Sequence, residues 1–431
     1  MRTRLEAVGC RLNIGELQAM ARELAAAGHR VVGPMEAADL CVINTCTVTN
    51  IASKKSRQLI RQLKRRHPEA SVVVTGCDAE LSPNRMRELG VDLVVGNADK
   101  DRLLEVIDQR GLLREPEPEL DEAILFPSDP AGRTRSFVKV QDGCDNRCAF
   151  CVITIARGAG RSVAPDRVVA DIHSLQCNGI QEVVLSGVHL GSYGQDLGSS
   201  LGLDDLVDRI LRETTIPRLR LSSLEPWDLD PEFFELFADS RLLPHLHLPL
   251  QSGCDQTLRR MARRTSQSEF SALVATARSS IPDLSVSTDI IVGFPGESDE
   301  EFEQSIAFVE DMAFSRLHVF RYSAREGTPA SKMLDQVPGS IAQQRSARMH
   351  ELAARQEMAF NSTLIGRAMS VLWETAEDHG EHLRWSGLTP NYVRIATDSP
   401  VDEDLLNTVT STEIVEVVPG GVVGRIRNST L

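Results

Sequence analysis

The sequence predicts an α/β protein of three units: a layered parallel sheet, a partial (β/α)6 barrel and a small carboxy-terminal β-barrel. Three observations predict this. Short apolar runs alternate with amphipathic stretches over residues 1–110, the signature of a parallel sheet covered by helices. The alternation resumes at Ser136 and gives six strands before Phe320, fewer than a complete eight-unit barrel needs. From residue 367 the pattern becomes short β-branched runs separated by Gly, Pro and acidic turns.

In the first unit, Leu5–Val8, Leu40–Asn44, Ser71–Thr75 and Val91–Val95 read as buried strands, with helices over Ile14–Ala27 and Ile51–Arg66. Residues 111–132 hold four prolines and six acids and read as a linker. The barrel strands are expected at Ser136–Val140, Glu182–Ser186, Leu219–Ser222, His245–Pro249, Val286–Val292 and Leu317–Phe320, followed by a long helix at Ile341–Thr363. MSVLWE, YVRIAT, TEIVEVV and GVVGRI supply the last strands. The expected domains are 1–120, 130–363 and 366–431.

Composition bounds the class. Hydrophobic residues make up 42% of the 431 residues and charged residues 25%, enough for packed cores and against disorder. Aromatics are 4%, so the cores are aliphatic. No run approaches the roughly 18 apolar residues of a membrane span, and MRTRLEAVGC lacks the apolar stretch of a signal peptide. The expected location is cytoplasmic, with no membrane partner. Nine cysteines in a reducing compartment point to metal or cluster ligation rather than disulfides. The net charge of −14 argues against nucleic acid until it is divided: residues 1–110 carry +3, 111–366 carry −12 and 367–431 carry −5.

The sharpest motif is D-G-C-D-N-R-C-A-F-C, in which Cys144, Cys148 and Cys151 form C-x3-C-x2-C directly after the first barrel strand. Three thiolates on so short a loop hold three irons of a cubane and leave the fourth open to a ligand. Zinc or unrelated cysteines are the alternatives, but structural zinc takes four ligands and no fourth follows closely. Cys10, Cys46 and Cys77 each follow a strand, and ligands in such sheets sit at strand carboxyl ends. Cys41 falls inside a strand and reads as buried; Cys177 and Cys254 match no ligand motif.

On the C-x3-C-x2-C loop the chain resembles the radical S-adenosylmethionine superfamily. On Gly9–Asn13 (G-C-R-L-N), Asn44–Thr49 (N-T-C-T-V-T) and Val74–Cys77 (V-T-G-C) it resembles the methylthiotransferases within it. The wording N-T-C-T-V-T-N-I-A-S-K-K-S-R-Q-L-I-R, Gly187–Gly194 and His247–Gly253 is most similar to the branch that modifies N6-threonylcarbamoyladenosine beside the tRNA anticodon. The resemblance implies a Rossmann- or flavodoxin-like first domain, a radical barrel and an OB-like, RNA-binding TRAM barrel. It also implies two [4Fe-4S] clusters, one on Cys144, Cys148 and Cys151 and one on Cys10, Cys46 and Cys77, with S-adenosyl-L-methionine as cofactor and the tRNA anticodon stem-loop as partner. The first cluster would generate a 5′-deoxyadenosyl radical; the second would carry the sulfur. An electron donor and a sulfur source are needed, and the sequence identifies neither. The same chemistry on isopentenyladenosine or on a ribosomal-protein aspartate is the nearest rival, and a non-catalytic iron–sulfur RNA-binding redox sensor is the rival of another class.

Candidate cofactor or substrate contacts are Gly187, Ser222, Glu225, Gln251 and Asp289, at or near strand ends on the barrel's upper face; Gly187 is expected to let backbone approach the cofactor amine. Thr154, Thr265 and Arg321 depart from the family's usual Pro, Tyr and Pro. For RNA, Lys54, Arg57, Arg61, Lys64 and Arg65 fall on one helix face. In the last barrel Arg367, Arg384, Arg394, Arg425 and Arg427 are the cations, and Tyr392 and Trp385 the candidate stacking platforms.

Overall fold

The computed structural model describes residues 1–113, 134–198 and 201–427. Most of the expected linker, with the domain boundaries at 120 and 130, lies outside the described residues.

Five parallel strands open the chain: β1 (Arg2–Ala7), β2 (Arg30–Val31), β3 (Leu40–Thr45), β4 (Ser71–Gly76) and β5 (Leu93–Val94), in the order β2-β1-β3-β4-β5. This is the flavodoxin-like order, with its switch point between β1 and β3. Helices α1 (Arg11–Ala26), α2 (Asn50–Arg66), α3 (Cys77–Leu81), α4 (Pro83–Glu88) and α5 (Leu103–Gln109) complete the layers. Alternate residues of β3 and β4 feed two cores. Leu40, Val42 and Val73 pack with Met20, Leu24 and Ile107 on one face; Cys41, Ile43, Val72 and Val74 pack with Ile60, Leu63 and Met86 on the other. Burial on both faces is why these strands read as continuous apolar runs. Cys41 is fully buried, as expected. Two-residue β2 escaped the sequence reading because it is too short to show a period.

The six expected barrel strands form. They are β6 (Arg135–Lys139), β9 (Glu182–Ser186), β10 (Arg218–Leu221), β11 (His245–His247), β12 (Ser285–Val292) and β13 (Arg316–Arg321). A short antiparallel ribbon, β7 (Gln141–Asp142) with β8 (Arg161–Ser162), brackets the cysteine loop and was not foreseen. Sheets β10-β9-β6 and β11-β12-β13 join through the parallel bridges Leu219–Leu242 and Ser223–His247, giving one open arc of six parallel strands. Helices α6 (Ile153–Arg157), α7 (Pro165–Cys177), α8 (Leu203–Glu213), α9 (Asp255–Arg260), α10 (Gln267–Ser280), α11 (Asp299–Met312) and α12 (Gly339–Ser362) follow in chain order. Val183, Leu185, Leu219, Leu221, Leu246, Val286 and Ile290 belong to the main apolar core. The opposite faces of the strands are polar: Arg218 and Arg220 pair with fully buried Glu182, and Ser287 hydrogen-bonds His245 and His247.

The last five strands are β14 (Ala368–Asp378), β15 (Leu383–Leu388), β16 (Arg394–Ser399), β17 (Val409–Val418) and β18 (Gly421–Ile426). They close into a barrel in the order β14-β15-β16-β18-β17. Only β16–β18 is parallel, as in an OB-like barrel. The sequence motifs account for four of these strands; β15 was missed because its alternation, Leu383-Arg384-Trp385-Ser386, stops at Gly387 after four residues and carries no β-branched residue.

The expectation that Tyr392 and Trp385 are exposed stacking platforms is overturned. Trp385 packs into the barrel's own core. Tyr392 turns inward at φ 66° and stacks on His245 with ring centroids 4.5 Å apart. Its hydroxyl accepts from Arg11 (2.5 Å) and Arg135 (3.5 Å), and the Arg220 guanidinium lies 4.7 Å from its ring centroid. An aromatic with a polar tip fills such a caged, cation-lined site better than it faces water. Among the described residues, no helix is long and apolar enough to cross a membrane.

Candidate active site

Cys10, Cys46 and Cys77 lie at the carboxyl ends of β1, β3 and β4, around the switch point of the first sheet. Cys10 is the N-cap of α1, Cys46 follows β3 directly and Cys77 begins α3. The turns are tight. A Cβ on Gly9 would lie 2.5 Å from the Cys46 Cβ and 2.6 Å from its Sγ, so only glycine lets these loops approach. Asn13 ties them together, its amide donating to Val8 O (2.7 Å) and Thr45 O (3.2 Å). Burial pushes the Cys46 thiol up to about 11.

Cys144, Cys148 and Cys151 curl on the loop after β7. Cys144 N donates to Gly158 O (3.0 Å) and Cys151 N to Cys148 O (3.0 Å). Two donors point at sulfur: Ile153 N to Cys151 Sγ (3.4 Å) and Arg263 Nη1 to Cys148 Sγ (3.6 Å). Burial raises the Cys151 thiol to about 12. Such desolvated thiols stay protonated at neutral pH unless a cation replaces the proton. Thr154, where the family usually has Pro, donates to Asn146 O (3.1 Å) and so closes the loop.

The two triads are brought together because α3, which begins at Cys77, packs on α6, which begins two residues after Cys151. A buried polar network fastens this contact. Arg157 of α6 donates to Glu16 (2.8 Å), Asp142 (2.8 Å) and Asn13 Oδ1 (3.0 Å). Lys100 pairs with Glu16 (2.9 Å) and donates to Asn44 Oδ1 (3.3 Å). Alongside it, Gln18 accepts from Phe137 N (2.8 Å), seating α1 on β6. None of these roles was read from the sequence. Asn13 and Asn44 stand inside the motifs that flag the cysteines, and that was the available signal.

A cavity of about 180 Å³ opens beside Cys151. Val48 and Thr49 line it from the first sheet, Phe150–Ile153 from the cysteine loop, and Gln251, Asp289, Ile291 and Phe320–Ser323 from the barrel. Arg325, two residues past the lining Ser323, ties the barrel to the first sheet by donating to Thr47 and Asn50. At the base of the cavity Asp289 meets His247 Nε2 at 3.3 Å. Burial opposes ionisation of Asp289, but its hydrogen bond with His247 and the nearby His247, His318 and Arg263 charges together outweigh this and lower its carboxyl below the ordinary value.

Residues 2–96 match the family described as Uncharacterized protein family UPF0004, and residues 138–309 match the Radical SAM superfamily. The chain is 39% identical to the threonylcarbamoyladenosine tRNA methylthiotransferase MtaB of Thermotoga maritima, over 86% of each protein. It is 35% identical to the protein of the same name from Bacillus subtilis, over 95% of this chain and 92% of that protein. The chain belongs to the radical S-adenosylmethionine methylthiotransferase family. A tRNA-2-methylthio-N(6)-dimethylallyladenosine synthase of Maricaulis maris is also similar, 33% identical over 92% of this chain and 91% of that protein. Among solved structures, the radical S-adenosylmethionine methyltransferase TsrM of Kitasatospora setae superposes with TM-score 0.57 at 16% identity, over 77% of this chain and 75% of that one. That likeness concerns the fold. As a member of this family the enzyme uses S-adenosylmethionine and a [4Fe-4S] cluster.

The cysteine loop fits such a cluster: three half-buried thiols on one turn, with N–H donors aimed at two of the sulfurs. Of the five candidate contacts, Gln251 and Asp289 line the cavity. Glu225 instead holds Arg263 (2.6 Å), and so acts on Cys148 through that arginine. Gly187 N donates to Ser222 Oγ (3.4 Å). A Cβ at Gly187 would meet Gln141 at 3.1 Å, so packing also calls for a small residue there. The cationic face of α2 is narrower than expected: Arg57 is half-buried near Asp78 (3.9 Å), and Lys64 donates to Gly90 O.

Proposed function

We propose that the enzyme inserts a methylthio group at C2 of N6-threonylcarbamoyladenosine next to the tRNA anticodon. In this reading Cys10, Cys46 and Cys77 hold a second [4Fe-4S] cluster beside the one on Cys144, Cys148 and Cys151, and the chain divides functionally at 1–120, 130–363 and 366–431. The observation that carries it is the packing of α3, which begins at Cys77, on α6, which follows Cys151, beside a cavity that Cys151 lines and that Val48, two residues past Cys46, lines from the other side. When bound, S-adenosylmethionine supplies a methyl group and a 5′-deoxyadenosyl radical. The chain's own residues hold, orient and enclose. Arg263 donates to Cys148 Sγ and is itself held by Glu225 and by Pro249 O (2.5 Å). Phe150, Val152, Ile153, Ile291 and Phe320 keep the cavity wall apolar, which protects a radical from water. Gln251 and Asp289 offer the polar contacts at its base.

The names of the relatives from Thermotoga maritima and Bacillus subtilis support the threonylcarbamoyl substrate over the dimethylallyl one. Nucleoside analysis of tRNA from a deletion strain tests it. Loss of 2-methylthio-N6-threonylcarbamoyladenosine is expected; loss of the isopentenyl derivative instead would overturn the substrate. Ala at Cys144, Cys148 or Cys151 should abolish 5′-deoxyadenosine release. Ala at Cys10, Cys46 or Cys77 should spare release and stop methylthiolation.

A further inference from the structure

We propose that the exposed face of α2, rather than the terminal barrel, carries the backbone of the RNA loop whose target base enters the cavity. The proposal rests on the tRNA reading above and assigns the surface that reading needs. Four cations of α2, Lys54, Lys55, Arg61 and Arg65, are exposed. Among the described residues none of the four forms an ion pair or hydrogen bond. The opposite face is anchored by buried Ser53, Ser56, Ile60 and Leu63, so the orientation of the cations is fixed. Lys54, Arg61 and Arg65 follow one stripe about 16 Å long at 1.5 Å per residue, and no acid occurs between Leu40 and Pro68.

The stripe starts at the cavity. Thr49 caps α2, its side chain accepting from Ala52 N (3.1 Å), and Val48 and Thr49 line the opening. Val48 and Phe320, which line the cavity, are exposed, and so are Ile51 (63%) and Ile155 (51%), each two residues past the lining Thr49 and Ile153. Apolar side chains beside a cationic track suit splayed bases next to their phosphates. The terminal barrel offers less. Arg367 pairs with Asp283, Arg384 with Asp398 (3.5 Å) and Arg427 with Glu413 (3.3 Å), Trp385 is buried, and the Tyr392 ring is taken up by stacking on His245.

The test measures binding of the reconstituted enzyme to an anticodon stem-loop RNA bearing N6-threonylcarbamoyladenosine, by fluorescence anisotropy across a salt series. With about 0.7 counterions released per single-strand phosphate contact, the variant K54Q/R61Q/R65Q should show a log–log salt slope shallower by about 2 and bind about 100-fold more weakly at 0.1 M salt. The variant R384Q/R425Q should change affinity less than about threefold. Unchanged binding by the α2 variant, or a loss carried by the barrel variant instead, overturns the assignment. If the unaltered enzyme does not bind this RNA at any salt, the tRNA reading itself fails.

Discussion

Replacing Arg157 with Met tests whether the polar network holds the first sheet on the barrel. The side chain of Arg157 is 2% exposed, as is that of Glu16. It makes hydrogen bonds to two carboxylates and to Asn13. Breaking a buried ion pair costs about 3–5 kcal/mol, because the partner stays buried without its counter-charge. Lys100 at 2.9 Å from Glu16, and Lys139 at 3.6 Å from Asp142, still offset those carboxylates, so the cost belongs at the lower end, about 3 kcal/mol. A three-unit chain does not unfold as one step, so the reading must be local. Amide hydrogen exchange of the holoenzyme reports the opening equilibrium segment by segment. About 3 kcal/mol corresponds to exchange faster by about 100-fold in α1 and α6. Helix α8, remote from the contact, should be unaffected. The double variant with Glu16→Gln should cost less than the sum of the two singles. An acceleration below about threefold in α1 and α6, or an equal one in α8, would refute the argument.

Burial alone would raise the Glu182 carboxyl, but Arg220, Arg218 and Arg135 outweigh it and hold it at about 2, against 4.5 for the free group. Its stabilisation, about 3 kcal/mol, is therefore complete above pH 4.5 and is lost as pH falls towards 2. Acid unfolding followed by circular dichroism should show a shallower limb over that window for Glu182→Gln; an unchanged limb would refute it. Gly143 has φ 72° and its missing Cβ would collide with Ala159 O, so Gly143→Ala should lower the iron content of reconstituted protein and remove 5′-deoxyadenosine release. Asn13→Ala deletes the amide that joins Val8 O, Thr45 O and Arg157; it should lower iron occupancy while sparing 5′-deoxyadenosine release.

Most of the architecture was legible because burial writes itself into periodicity. Strands β3 and β4 are covered on both faces and announce themselves as apolar runs, and the six barrel strands recur with their helices. What stayed hidden has physical causes. Arg30–Val31 is too short to show a period, and the alternation of β15 ends after four residues at Gly387. The cysteine triads were legible from spacing and resemblance. Arg157, Glu16 and Lys100 were not, since they lie in three separate segments of the chain and pair only once the sheet meets the barrel. Tyr392 misled for a related reason: an isolated aromatic among polar residues reads the same whether it faces water or a buried cage of arginines.

That cage changes what removing the last barrel would report. Arg11, Arg135, Arg220 and His245 come from the first sheet's helix and from three barrel strands, and Tyr392 sits against all four. Arg218 and Arg220 also donate to the carbonyls of Leu388 and Pro390 beside it. A chain cut at residue 366 leaves these guanidinium groups with one carboxylate, Glu182, and an uncorked floor. Impaired modification by such a truncation measures the collapse of a mutually repelling cluster beneath the catalytic barrel, and says little about whether the missing domain ever touched RNA.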